Sequence, residues 1–282
     1  PLVGIQSFKP SQEQVSQNQQ VPWTINMKVV NNGGTAVRLD SIRCNFEFGA
    51  TDITSQYEIA YDSVFIARGN DRLLAYSEDS LKITILKTGE QEGVIRINGY
   101  IYMTDISTGK PIFDDTKTEI IVLKPANLVI QRVIPSAKKG ITRNQGQDWY
   151  VKVVLANQGE SDIEITTHKD STYISFSTGN DFTIIQPDSL QSGGFRLASN
   201  SIDTLNFIID GTGWNTGVSD IDAVVTGIEQ TTGLPIQATK IQQASVVVEE
   251  PADIRILAVD IEDPKNGNYV NTGQQVYINV TV

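Results

Sequence analysis

The chain repeats itself at a distance of about 126 residues, and this constrains its fold more than any other feature. Gly4–Ser11 stands 125 positions before Val129–Ser136, and Trp23, Ile25, Met27 and Val29 stand 126 before Trp149, Val151, Val153 and Leu155. Asp79-Ser80-Leu81 returns as Asp203-Thr204-Leu205, and Thr108–Ile112 as Thr232–Ile236, both at 124. Pro251-Ala252-Asp253-Ile254 then repeats Pro125-Ala126-Asn127-Leu128 at 126. A period of this length belongs to whole domains and not to the short units of a solenoid. The expected organisation is a domain at residues 1–124, its repeat at 125–250, and the first strands of a third, incomplete repeat at 251–282.

Within each copy the pattern is that of β structure. Trp23, Ile25, Met27 and Val29 alternate with Thr24, Asn26 and Lys28, which puts four apolar side chains on one face of a strand. Burying them contributes several kcal/mol, at roughly 1.5–3 kcal/mol each. Asn31-Asn32-Gly33-Gly34 stops this strand with residues that tolerate positive φ. A polar loop is expected at Gln12–Gln20, and further strands at Ala36–Phe48, around Leu81–Ile85, at Val94–Thr104 (the longest) and at Thr118–Leu123. Turn composition marks Arg68–Asp71 and Ser107–Pro111. Apolar positions seldom recur at three and four, so no helix is expected. Short strands punctuated by glycine, asparagine and proline indicate an all-β sandwich. Scant linker at Pro125 and Pro251 favours a stiff rod. The third copy offers only Ile254–Ile261, the loop Pro264–Gly273, and Val276, Ile278, Val280 and Val282 in alternation. Two strands cannot enclose a core. The expectation is that the chain continues past Val282, the alternative that another molecule completes these strands.

These residues resemble the bacterial cell-adhesion-related domain, an immunoglobulin-like sandwich found in tandem on surface proteins. The resemblance is carried by the opening Pro125-Ala126-Asn127-Leu128 and Pro251-Ala252-Asp253-Ile254. Gly146-Gln147 and Gly273-Gln274 before the second strand, and the Asn-x-Gly that ends it, also carry it. It covers the first third of each copy; extra material falls at Thr51–Asp71 and Ser177–Phe195. It implies tandem immunoglobulin-like domains with an extracellular, structural or adhesive role at the cell surface, and it brings no catalytic residues.

Charge and reactive groups narrow the function further. A net charge of −11 opposes phosphate backbones and anionic lipid, so no nucleic acid is expected as a partner. No apolar run approaches the roughly 20 residues that cross a bilayer, so no membrane insertion is expected in this segment. Pro1 is not a natural start, which points to a processed or excised piece. Cys44 cannot form an intrachain disulfide and reads as a small buried hydrophobe. His168, the single histidine, lies in a polar segment and reads as a surface residue. No zinc cluster or phosphate loop is visible, so no catalytic residue, no cofactor and no enzyme is expected.

Two candidate sites remain. Asp114-Asp115, Asp220 with Asp222, and Asp260 with Glu262-Asp263 read as solvated acidic turns, none spaced as a dedicated calcium loop. Calcium at Asp253, Asp260 and Asp263, beside a domain boundary, is the metal candidate. Trp214 sits in the loop Gly211–Gly217, whose counterpart after Gly89 has no tryptophan. Its ring is expected to fold over the sandwich's end, with stacking on a sugar as the alternative. The favoured function is a non-catalytic spacer, stalk or fibre-forming segment whose partners are neighbouring domains of the same chain. The alternatives are a carbohydrate- or protein-binding module centred on Trp214 or on Tyr100 and Tyr102, and a strand-exchanged filament of like copies.

Overall fold

The structure, a computed structural model, describes residues 2–137, 140–179, 181–262, 272–273 and 275–282. Ten strands occupy the first stretch: β1 (Val3–Pro10), β2 (Gln14–Ser16), β3 (Trp23–Asn31), β4 (Val37–Phe48), β5 (Thr51–Asp52), β6 (Glu58–Tyr61), β7 (Arg72–Leu73), β8 (Ser77–Lys87), β9 (Gly93–Asp105) and β10 (Pro111–Leu123). They form two sheets, one ordered β1-β3-β8-β6 and the other β2-β10-β9-β4-β5 with β7 also on β4. Pairing is antiparallel throughout except for β2, which runs parallel to β10 with Val15 opposite Val122.

A second sandwich follows, made of β11 (Leu128–Pro135), β12 (Ile141–Thr142), β13 (Trp149–Asn157), β14 (Ile163–Thr166), β15 (Tyr173–Phe176), β16 (Thr183–Ile185), β17 (Arg196–Leu197), β18 (Ile202–Gly211), β19 (Gly217–Glu229) and β20 (Pro235–Glu249). Its sheets run β11-β13-β18-β16 and β12-β20-β19-β14-β17, with β15 on β19. The strand order is thus that of the first, except that β14 and β15 together take the place of β4 and β5 has no counterpart. Among the described residues the only helical element is one 3-10 turn at Thr54–Gln56.

The alternation read from the sequence packs as expected. Trp23, Ile25, Met27 and Val29 of β3, with Leu81, Ile83 and Ile85 of β8, are buried against Phe46, Ile95, Ile97 and Ile101 of the facing sheet. A separate core gathers Trp149, Val151, Val153 and Leu155 with Leu205, Phe207 and Ile209, and it shares no residue with the first. Each core holds an aromatic stack. Phe46 meets Trp23 edge-on at 6.4 Å and stacks on Tyr57 at 3.9 Å; Phe176 meets Trp149 at 5.9 Å and stacks on Phe182 at 3.9 Å. Such pairs add about 0.5–1.5 kcal/mol each beyond burial. The extra segments are therefore part of the packing, since they supply Tyr57 and Phe182.

Several local expectations need correction. The polar loop after β1 contains β2, whose Val15 is fully buried, because a three-residue strand is too short to show alternation. β10 starts at Pro111 and equals β9 at 13 residues, since its inward-facing positions Asp114, Thr116 and Thr118 are polar and only half-buried, which hides the strand pattern. Asp114 and Asp115 lie in β10, Asp220 and Asp222 in β19, so these carboxylates are strand residues and not turns. Asn31-Asn32-Gly33-Gly34 uses no positive φ. The buried Asn31 side chain ends the strand instead, donating from Nδ2 to the carbonyls of Thr35 (2.8 Å) and Leu74 (3.0 Å) and accepting from Gly33 N–H (3.0 Å).

The last element is a hairpin of β21 (Ala258–Glu262) and β22 (Tyr277–Thr281). Its strand starts at Ala258, later than the alternation from Ile254 indicates, with Ala258 opposite Thr281. The register is that of the sandwiches: Val259 faces Val280 and Ile261 faces Ile278, as Phe8 faces Met27 and Pro10 faces Ile25. All four apolar side chains are exposed.

Candidate functional sites: the inter-sandwich joint and the aromatic surfaces

Only four residues, 124–127, separate β10 from β11; Ala126 is buried while Lys124, Pro125 and Asn127 are exposed, and the polar residues gathered at the joint, Ser16, Asn157, Ser161 and Glu229, are buried. The β19 strand ends on Glu229, whose carboxylate collects donors from both sandwiches. Ser16 of β2 donates its hydroxyl to Oε1 at 2.7 Å, and the linker's Ala126 N–H donates to the same oxygen at 2.9 Å. Within the second sandwich Thr232 donates to Oε2 at 2.7 Å and Thr231 to Oε1 at 3.2 Å; the Thr231 hydroxyl also touches that of Ser16. Ser16 and Glu229 are both buried, so these bonds are not shared with water.

The linker backbone is held by the loop after β13. Lys124 N–H donates to Glu160 Oε2 at 3.1 Å, while Lys124 carbonyl accepts from Glu160 and Ser161 N–H, both at 3.2 Å. Asn157, equivalent to Asn31, donates to Ser161 carbonyl at 2.8 Å and accepts from Gly159 N–H at 3.0 Å. Gly159 has its own reason to be glycine: a Cβ there would run into the carbonyl oxygen of Pro125 and the Cα of Ala126. The sequence motif thus marks where one sandwich's exit strand presses on the next. Sequence reasoning missed Ser16 and Glu229, and their separation of 213 residues explains why.

At the position equivalent to Glu229 the first sandwich carries Asp105, also buried. Burial pushes its carboxyl up, but hydrogen bonds from the hydroxyl and backbone of Ser107 and from Thr108 outweigh that and hold it at about 2. Cys44 is buried as expected, and its thiol is pushed up to about 11 by loss of water, against a hydrogen bond with Tyr61. His168 is a surface residue with Asp170 at 3.6 Å.

Trp214 departs from its expected place. Its ring is 61 % exposed and does not fold over the sandwich. The loop that carries it is pinned instead through backbone: Trp214 N–H donates to Asp181 Oδ2 at 2.8 Å, and Asn215 Nδ2 to the Thr178 carbonyl at 2.9 Å. Both anchors spend polar groups on the loop and leave the indole in solvent. Tyr100 and Tyr102 point outward from β9 and gather around Phe113 of β10.

The calcium candidates are not brought together by any described geometry. Asp253 pairs with Arg255 at 2.7 Å, Asp260 lies on β21, and Asp263 lies outside the described residues, as do loop residues 264–271 and Gln274. Among the described residues no group of three or more His, Cys, Asp or Glu is placed to hold a metal ion. No helix among them is long and apolar enough to cross a membrane.

No family model matches the chain, and no curated protein matches it in sequence. Solved structures to which it is similar include a secreted serine protease, VesC, from Vibrio cholerae. That match has 9 % identity and a TM-score of 0.28, covering 76 % of this chain and 48 % of that one. The chain therefore spans about half of that protein's length. A protein of unknown function from Porphyromonas gingivalis W83 is similar at 13 % identity and TM-score 0.24, over 82 % of this chain and 98 % of that one. The C-terminal domain of the Streptococcus agalactiae AgI/II polypeptide BspA is similar at 11 % identity and TM-score 0.28, over 87 % and 99 % of the two chains.

Proposed function

We propose that the chain is a non-catalytic, stiff spacer of an extracellular surface protein, built from immunoglobulin-like units at 1–124 and 125–250 with a third begun at 251–282. The observation that carries this reading is the joint. A flexible tether would leave its linker without fixed partners, whereas here Ser16 and Ala126 are tied to the buried Glu229 across four connecting residues. Such a seam fixes the angle between successive units, which is what a stalk needs. Small-angle scattering on residues 1–250 tests it: one elongated shape with a narrow distance distribution is expected, broadening on Glu229→Ala. A distribution already broad in the unsubstituted protein would refute it.

Two other readings have an observation in their favour. The exposed Trp214 ring favours a binding module for a glycan or a protein, and loss of glycan-array signal on Trp214→Ala would support it. The exposed apolar face of the β21–β22 hairpin favours completion by a neighbouring copy, and a monomeric mass at every concentration would reject that. Calcium at Asp253, Asp260 and Asp263 has no such observation behind it; an unchanged unfolding midpoint on chelation would dismiss it.

A further inference from the structure

We propose that the outer face of the larger sheet in the first sandwich is a binding platform for a neutral oligosaccharide, built on Tyr100, Tyr102 and Phe113. Tyr102 and Phe113 are directly opposed in the β9–β10 register, and Tyr100 is two residues along on the same face. Their rings form one continuous surface: Tyr102 and Phe113 centroids lie 5.1 Å apart, and Tyr100 and Phe113 lie 6.3 Å apart at an interplanar angle of 22°. Phe113 remains 53 % exposed.

Nothing in the fold requires these rings. The second sandwich pairs the equivalent strands, in the same register over Ala223–Ile228, and places Val224, Thr226 and Gln237 at the three positions. An aromatic cluster kept in water on one sandwich and absent from its structural twin marks an interaction surface of that sandwich alone.

The chemistry around the rings selects the ligand. Tyr100 is flanked in register by Arg43 on β4 and by Asp115 on β10, one charge of each sign, so the patch is locally balanced within a chain of net charge −11. Balanced charge offers donors and acceptors for hydroxyl groups and no field to draw an ion. The rings offer electron-rich faces to the apolar C–H side of a pyranose. A protein partner fits less well. A stable interface needs about 800 Å² on each side with an apolar centre. Three rings, each already partly covered, supply under about half of that.

Isothermal titration of the whole chain with cellohexaose, mannohexaose and chitohexaose tests the proposal. At least one is expected to bind, and Tyr102→Thr with Phe113→Gln should weaken it by at least about tenfold, or about 1.4 kcal/mol. Those two residues already stand at the equivalent positions of the second sandwich, so the variant is expected to fold, which its unfolding midpoint will check. The proposal is overturned if no neutral hexasaccharide binds at millimolar concentration, or if the double variant binds as well as the parent. Tighter binding of hexagalacturonate would also overturn it, as would self-association of the chain that the double variant abolishes. None of these outcomes alters the scattering test of the spacer reading, so the two fail separately.

Discussion

The Ser16 hydroxyl lies 2.7 Å from Glu229 Oε1, a buried bond between residues 213 apart that joins the exit side of one sandwich to the entry side of the next. Removing the carboxylate by Glu229→Ala leaves Ser16 Oγ, Ala126 N–H and Thr232 Oγ1 without their acceptor. A loss of about 1–3 kcal/mol is expected, measured by denaturant unfolding. Ser16→Ala should cost less, and the double variant should cost less than the sum, because both changes remove one shared bond.

Gly159→Ala acts on the same seam through volume. The added methyl group would meet the Pro125 carbonyl, and the linker must shift to admit it. A destabilisation of about 1–3 kcal/mol is expected, the usual range for overpacking a fitted site. Equal stability of variant and parent in chemical denaturation would show that the linker is not held as described.

Asp105 gives a pH signature. Its folded carboxyl is held at about 2, below its unfolded value, so its stabilising effect is fully present above the ordinary carboxylate range and is lost as pH falls through about 2. Asp105→Asn should therefore lower the unfolding midpoint at pH 7, by an amount that shrinks as pH falls through about 2. A gap that persists unchanged at pH 2 would contradict the hydrogen-bonded carboxylate.

Cys44 should be inert while the protein is folded. With its thiol pushed up to about 11 and its sulfur buried, almost no thiolate is present or reachable at pH 8. Labelling with a disulfide reagent should be slow in native buffer and complete in denaturant. Rapid labelling of the native protein would contradict the burial.

The β3 and β13 strands were legible because four large side chains at every second position, closed by asparagine, leave little choice of structure. Val15 and Ile141 were not, since a buried strand of two or three residues leaves one apolar letter in a polar stretch. Asp114 and Asp115 misled for a different reason: Asp115 faces outward, while Asp114 points to the other face and accepts from Ile5 N–H of β1 at 2.6 Å, so neither position shows an apolar letter and composition alone suggests a turn. The aromatic platform was half visible, with Tyr100 and Tyr102 in alternation, but Phe113 joins them only through the register of β9 and β10. Trp214 was misplaced because burial statistics for tryptophan say nothing about a loop pinned by its backbone.

The parallel pairing of β2 with β10, repeated by β12 with β20, bears on how the molecule would carry load. Each pair ties an early strand of a sandwich to the strand by which the chain leaves it. A pull on the two ends drags these partners in opposite directions along their length, so Gln14–Ser16 and Ile121–Leu123 must slide past each other with their bonds strained together instead of opening one at a time. Each sandwich is in this respect a latch that tension engages, and pulling single molecules should record one abrupt extension per sandwich.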